Sequence, residues 1–225
     1  MEVLPYALAV VIMAAIVNGL IGSSPSSWQL RGRSATSAVE KLLLPITTII
    51  VLVVTAIFTG LQFPFPTVLE ALRRNPHALA AGEWWRLVTP LLVHSDGWAQ
   101  IVFNFVAIII FGVLAERVFG HWWWLALYLG GGIVGEIAGY FWDPFGAGAS
   151  VGLFGLLGGL LIWLLLSLNT PRSRIAAVIG LLTVVALLIL RDIHGYAALA
   201  GACLALLPLW RSQVGKPRTE ESPQS

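Results

Sequence analysis

Charge is what this chain has least of. Only 11% of its 225 residues are Asp, Glu, Lys or Arg, while 58% are hydrophobic, and the mean hydropathy is +0.86. A soluble domain is about a quarter charged, so too few polar residues exist here to cover a water-facing surface. Cysteine is nearly absent. Cys203 stands alone in an apolar run, which excludes an intramolecular disulfide and a thiolate metal cluster. Period-two alternation is missing as well, which argues against a membrane β-barrel. The net charge of +2 and pI of 9.0 do not point to nucleic acid, because the basic residues sit in short loops and a tail, where topology signals lie.

What the chain does have is apolar runs, at about residues 4–22, 43–60, 98–115, 122–141, 149–168, 175–190 and 193–210, each near the ~20 residues a spanning helix needs. In lipid the backbone must satisfy its own hydrogen bonds. The fold class expected is therefore an all-α polytopic membrane protein. No Lys or Arg precedes the first run, and its apolar stretch is long, so it reads as a retained helix rather than a signal peptide. Residues 1–42 form an N-terminal helix plus a polar linker, 43–210 a helical core, and 211–225 a polar tail expected to be disordered. The connection at 61–97 is long and amphipathic, with Trp84 and Trp85 suited to a membrane–water interface.

The basic residues suggest an orientation. Placing the first linker in the cytoplasm puts Arg31, Arg33, Lys41, Arg117, Arg172, Arg174, Arg211, Lys216 and Arg218 inside, against Arg73, Arg74, Arg86 and Arg191 outside. The N-terminus is then external and the C-terminus cytoplasmic. A bacterial plasma membrane is the default, since no transit-peptide character is evident.

Polar groups inside spans are costly, and they mark functional sites. Gln100 and Asn104, four residues apart, share one helical face. Taken alone, interhelical hydrogen bonding is the plainer explanation of the pair. Ser150 opens the fifth run among small residues, where the plain alternative is a packing contact: Gly148/Gly152 and Gly155/Gly159 are small-xxx-small pairs. His194 opens the seventh, near the small pair Ala197/Gly201, and could be simply interfacial. The third, fifth and seventh runs all pass from outside to inside, so these groups lie at one depth. A nucleophile, a base and two amide donors at one level are the components of acyl transfer.

In order along the chain, several stretches carry a resemblance. They are Glu83-Trp84-Trp85-Arg86-Leu87-Val88-Thr89-Pro90, His94 to Val102-Phe103-Asn104, Glu116-Arg117 with Gly120, Gly148-Ala149-Ser150 with Phe154-Gly155, and His194 with Ala200-Gly201. Together they resemble the rhomboid family of intramembrane serine proteases over about residues 43–210. The resemblance implies a six-helix rhomboid-like bundle with one additional N-terminal transmembrane helix. It further implies Ser150 as nucleophile, His194 as general base, Asn104 with the Ser150 N–H at the oxyanion, and Phe154 against the imidazole. Gly148 supports the nucleophile motif. No metal or cofactor is implied, and the partners would be the lipid bilayer and single-pass transmembrane substrates cleaved near the outer face.

Two positions depart from the family pattern. Val151 stands where glycine follows the serine, and its β-branch is expected to narrow the substrate's approach. Gln100 replaces the second histidine and retains an N–H₂ donor for the oxyanion. These departures motivate a rival reading, a non-catalytic relative that binds transmembrane helices. A solute transporter fits poorly, because the halves show no repeat. Asp192 is left out of the site, since two positions along a helix would set it on the face opposite His194. Glu136, mid-span, has no evident partner. Trp122, Trp123, Trp124 and Trp142 read as interfacial anchors, His77 and His121 as exposed loop residues, and His94 as lacking the company a metal ligand needs.

Overall fold

The computed structural model describes residues 3–21, 23 and 45–214. The elements are α1 (Val3–Leu20), α2 (Ile46–Leu61), α3 (Pro66–Leu72), α4 (Pro76–Ala80), two 3₁₀ turns (Trp84–Leu87 and Thr89–Leu92), α5 (Gly97–Phe119), α6 (His121–Trp142), α7 (Ser150–Ser167), α8 (Pro171–Ile189) and α9 (Ile193–Val214). No strand occurs among the described residues. By length and apolarity α5 to α9 can each cross a membrane, and α1 and α2 are shorter apolar helices. The fold is a polytopic helical bundle, as the composition requires. The 24–44 linker and the tail beyond Val214 lie outside the described residues. The expectation of disorder from residue 211 needs correction at its start: α9 continues to Val214, with Arg211 in its last turn, where a cation meets the negative end of the helix.

The helix α7 is the axis of the molecule. From Ser150 to Leu161 every residue is buried, the pattern of a helix apolar on all sides and surrounded by others. Its glycines make that possible. A Cβ on Gly158 would stand 1.9 Å from the Ala198 carbonyl oxygen of α9, and one on Gly155 would stand 2.3 Å from the Leu127 carbonyl oxygen of α6. Across the same seam, a Cβ on Gly201 would meet the Gly155 carbonyl at 1.9 Å. Backbones in lipid associate through such small-residue faces, and here they hold the N-terminal ends of α7 and α9 together. Gly201→Val is accordingly expected to cost at least the ~1–3 kcal/mol of an overpacked core. A thermal midpoint in detergent equal to that of the unchanged protein would contradict this.

Outside α7 the polarity reverses. Val102, Val106, Ile109 and Ile110 of α5, with Ile175, Val178, Leu182 and Val185 of α8, are exposed where lipid would lie. α5 contains a π turn at Ile108–Gly112 and stops at Gly120, whose φ of 76° suits glycine. The buried Glu116 near its end caps a distant helix. Its carboxylate accepts the first backbone N–H groups of α2, from Thr47 and Thr48, both at 2.8 Å. His121, expected as an exposed loop residue, instead opens α6 and lies 2.6 Å from Glu116 through Nδ1. Trp124 is also not an interfacial anchor. It is fully buried, stacks on Tyr128 and donates to the Gly112 carbonyl at 3.0 Å, because successive helical residues point in different directions and Trp122 takes the exposed one.

The connection between α2 and α5 is held by two arginines. Arg86 is buried, donating to the carbonyls of Glu70 (2.9 Å) and Arg73 (2.7 Å) and pairing with Glu83. Arg74 gives Glu136 the partner that the sequence does not reveal, at 2.7 Å, and also pairs with Asp143. Gly139 leaves the room, since a Cβ there would lie 2.7 Å from Arg74 Nε.

Candidate active site

Ser150 is the first residue of α7, so its backbone N–H is among the donors for which a helix has no internal acceptor, at the positive end of the dipole. His194 occupies the first turn of α9. Because the glycine seam brings these two helix ends together, Ser150 Oγ and His194 Nε2 are 2.9 Å apart. The Phe154 ring, one turn below Ser150, lies 4.6 Å from the imidazole centroid with 50° between planes. Gly148 approaches from the preceding loop, where a Cβ would fall 2.6 Å from Gln100 Nε2 and 3.3 Å from Ser150 Oγ.

These groups open on a cavity of about 810 Å³. Its walls include Gln100 and Phe103 from α5, Ser150 and Phe154 from α7, His194 from α9, and Asp96, Asp143, Arg191 and Asp192 from the connecting segments. The carboxylates and the guanidinium make this wall polar around a hydroxyl set among apolar helices. The wall also contains Tyr6 and Ala9 of α1, with Tyr6 edge-on to Phe103 at 5.5 Å. The sequence offered no signal for α1 at the site, because its contribution depends on packing against α8 and α7.

The two amides behave differently from each other. Gln100 faces the cavity, but its Nε2 already donates to the Ala147 carbonyl (3.0 Å) and lies 3.3 Å from Asp96. Asn104 is fully buried with neither Oδ1 nor Nδ2 hydrogen-bonded, and it is not part of the cavity wall. An unsatisfied buried amide costs about 1–3 kcal/mol, a burden that packing alone gives no reason to carry. Asn104→Leu is therefore expected to leave the thermal midpoint unchanged or higher and, if this amide serves as an oxyanion donor, to cut turnover by roughly 10²–10³. Unchanged turnover would remove Asn104 from the chemistry.

Two expectations are corrected by the geometry. Val151 does not narrow the cavity; it is buried toward α6, where a Cβ on Gly135 would sit 2.4 Å from Val151 Cγ1. Gly135 on the neighbouring helix leaves the room that the valine side chain needs. Asp192 does not lie opposite His194. α9 begins only at Ile193, so Asp192 is its N-cap and folds back over the first turn, accepting the His194 N–H at 2.9 Å with Oδ1 2.7 Å from His194 Nδ1. Partial burial pushes this carboxyl up, but the hydrogen bonds and charge of His194 outweigh it and hold Asp192 below its ordinary value.

The sequence is similar to that of known proteins. The Rhomboid domain matches residues 81–212, more than half of the chain. Rhomboid protease GluP of Bacillus subtilis is 45% identical over 84 residues, covering 37% of this chain and 16% of GluP. Putative rhomboid protease YdcA of the same organism is 34% identical over 131 residues, covering 56% of this chain and 65% of its own length. RHOMBOID-like protein 6, mitochondrial, of Arabidopsis thaliana is 30% identical over 152 residues, 63% of this chain and 49% of that protein. The chain thus spans less than two thirds of these relatives' lengths. With the domain match running from the Trp-Arg segment before α5 into the last turn of α9, this integral membrane protein belongs to the rhomboid family.

Proposed function

We propose that the chain is a serine endopeptidase acting within the membrane, with Ser150 as nucleophile and His194 as general base. The observation that carries this reading is the 2.9 Å approach of Ser150 Oγ to His194 Nε2 inside a cavity walled by membrane-crossing helices. Nε2 accepts the hydroxyl proton as Oγ attacks the scissile carbonyl. The resulting oxyanion is met by the Ser150 N–H and, after local adjustment, by the amides of Asn104 and Gln100. The imidazolium then protonates the leaving amine. Water entering past the polar mouth releases the acyl group by the same path in reverse. The substrate is a single-pass transmembrane segment cut near the outer face, where its helix is locally unwound. The basic residues favour an external N-terminus and a cytoplasmic C-terminus, in a bacterial plasma membrane.

One observation favours a second reading, a helix-binding relative without activity: the N–H₂ of Gln100 is already engaged by Ala147 and Asp96. Fluorophosphonate labelling in proteoliposomes separates the two. The enzyme reading expects a stoichiometric adduct mapped to Ser150 together with cleavage of a transmembrane reporter. A folded protein that neither labels nor cleaves would favour the binding role.

A further inference from the structure

We infer that Asp192 is a positioning residue for His194, so that the site works as a Ser-His-Asp relay of contacts rather than as a pair; this rests on the peptidase reading above. The inference starts with hydrogen-bond inventory. A carboxylate has only acceptor oxygens. With Asp192 Oδ1 2.7 Å from His194 Nδ1, that nitrogen must carry the proton, which leaves Nε2 as the bare acceptor facing the Ser150 hydroxyl at 2.9 Å. The contact therefore selects the one neutral tautomer able to take a proton from serine. Once Nε2 is protonated, the same carboxylate faces the new positive charge and remains ionised itself.

The backbone around Asp192 is built to hold it there. Arg191, with φ 57°, is the one described non-glycine residue at positive φ. Its N–H bonds Leu188 O at 3.0 Å, and the Asp192 N–H bonds Leu187 O at 2.9 Å. This paired closure of a helix end normally uses glycine at the left-handed position. An arginine held in that conformation fixes the turn between α8 and α9 and sets the Asp192 side chain under the imidazole. On the far side, Phe154 packs against the ring, so His194 is confined from two directions.

A helix cap alone would give Asp192 its bond to the His194 N–H, so the test must separate capping from positioning. Asp192→Asn and Asp192→Ser both keep a cap-competent oxygen and lose the carboxylate. In proteoliposomes with the transmembrane reporter, both variants are expected to lose about 10²-fold in kcat, with KM and thermal midpoint unchanged; a more deeply buried triad aspartate can cost about 10⁴. In protein labelled with ¹⁵N-histidine, the His194 Nδ1–H signal present in the unchanged chain should be lost or shared between both nitrogens in these variants. If both variants retain the original kcat, or lose it only in step with stability, Asp192 is a cap and the proposal fails. Ser150→Ala run alongside keeps the two claims distinct. If it is inactive while the Asp192 variants are unimpaired, only the positioning role falls; if it cleaves normally, the peptidase reading falls and takes this role with it.

Discussion

Ser150→Ala is expected to abolish cleavage of a transmembrane reporter, a loss of about 10⁴–10⁶ in kcat, while leaving the bundle intact. The serine hydroxyl is hydrogen-bonded to His194. Its removal therefore creates no appreciable cavity and strands no buried charge, and Ala is a sound residue for the start of a helix already closed by the glycine seam. His194→Ala should cost a similar factor. The informative measurement is the double variant. Groups that act as a unit are non-additive, so removing both should cost no more than removing either. If the losses multiplied, or if Ser150→Ala cleaved at the original rate, the 2.9 Å contact would be incidental. Thermal midpoints in detergent guard against unfolding as the explanation.

Arg74→Ala should give the largest loss of stability, about 3–5 kcal/mol, because it leaves the Glu136 carboxylate buried without its counter-charge. Arg74 is 1% exposed and Glu136 0%. Beyond Glu136, Arg74 pairs with the Asp143 side chain, and its Nε donates to the Asp143 carbonyl at 2.7 Å. Its own N–H donates to the Gly146 carbonyl at 3.2 Å. One side chain thus ties the connection between α2 and α5 to α6 and to the loop that delivers Gly148 and Ser150. Loss of activity should follow loss of structure here. The double change Arg74→Leu with Glu136→Leu is expected to recover most of the stability, since a buried pair replaced by apolar groups is often neutral. An Arg74→Ala protein as stable as the original would show that Glu136 is held by something other than this pair.

The helices themselves could be read from the chain because lipid imposes a simple demand: about twenty apolar residues and no unpaired backbone. The expected runs at 98–115, 122–141, 149–168, 175–190 and 193–210 correspond closely to α5 to α9. Helical spacing is a poor guide beyond a helix end: Asp192 precedes α9, and an Asp directly before an apolar helical run is a capping signal in its own right. Nor does composition alone say which tryptophan of a run is interfacial, since successive helical residues point in different directions and Trp124 is fully buried.

Composition and motif order determined by themselves that this is a multispanning helical protein of rhomboid type, and they singled out Ser150, His194, Gln100 and Asn104 as groups too polar for their surroundings. Those conclusions rest on the cost of polarity in hydrocarbon, which every sequence window carries locally. Only the tertiary structure decided which groups meet. It gave Glu136 the side chain of Arg74 from a distant loop, turned Asp192 beneath His194, seated Val151 in the Gly135 notch and brought Tyr6 to the cavity wall. Each is a contact between chain segments whose relative position depends on how closely glycine-faced helices approach, and that distance is set in three dimensions.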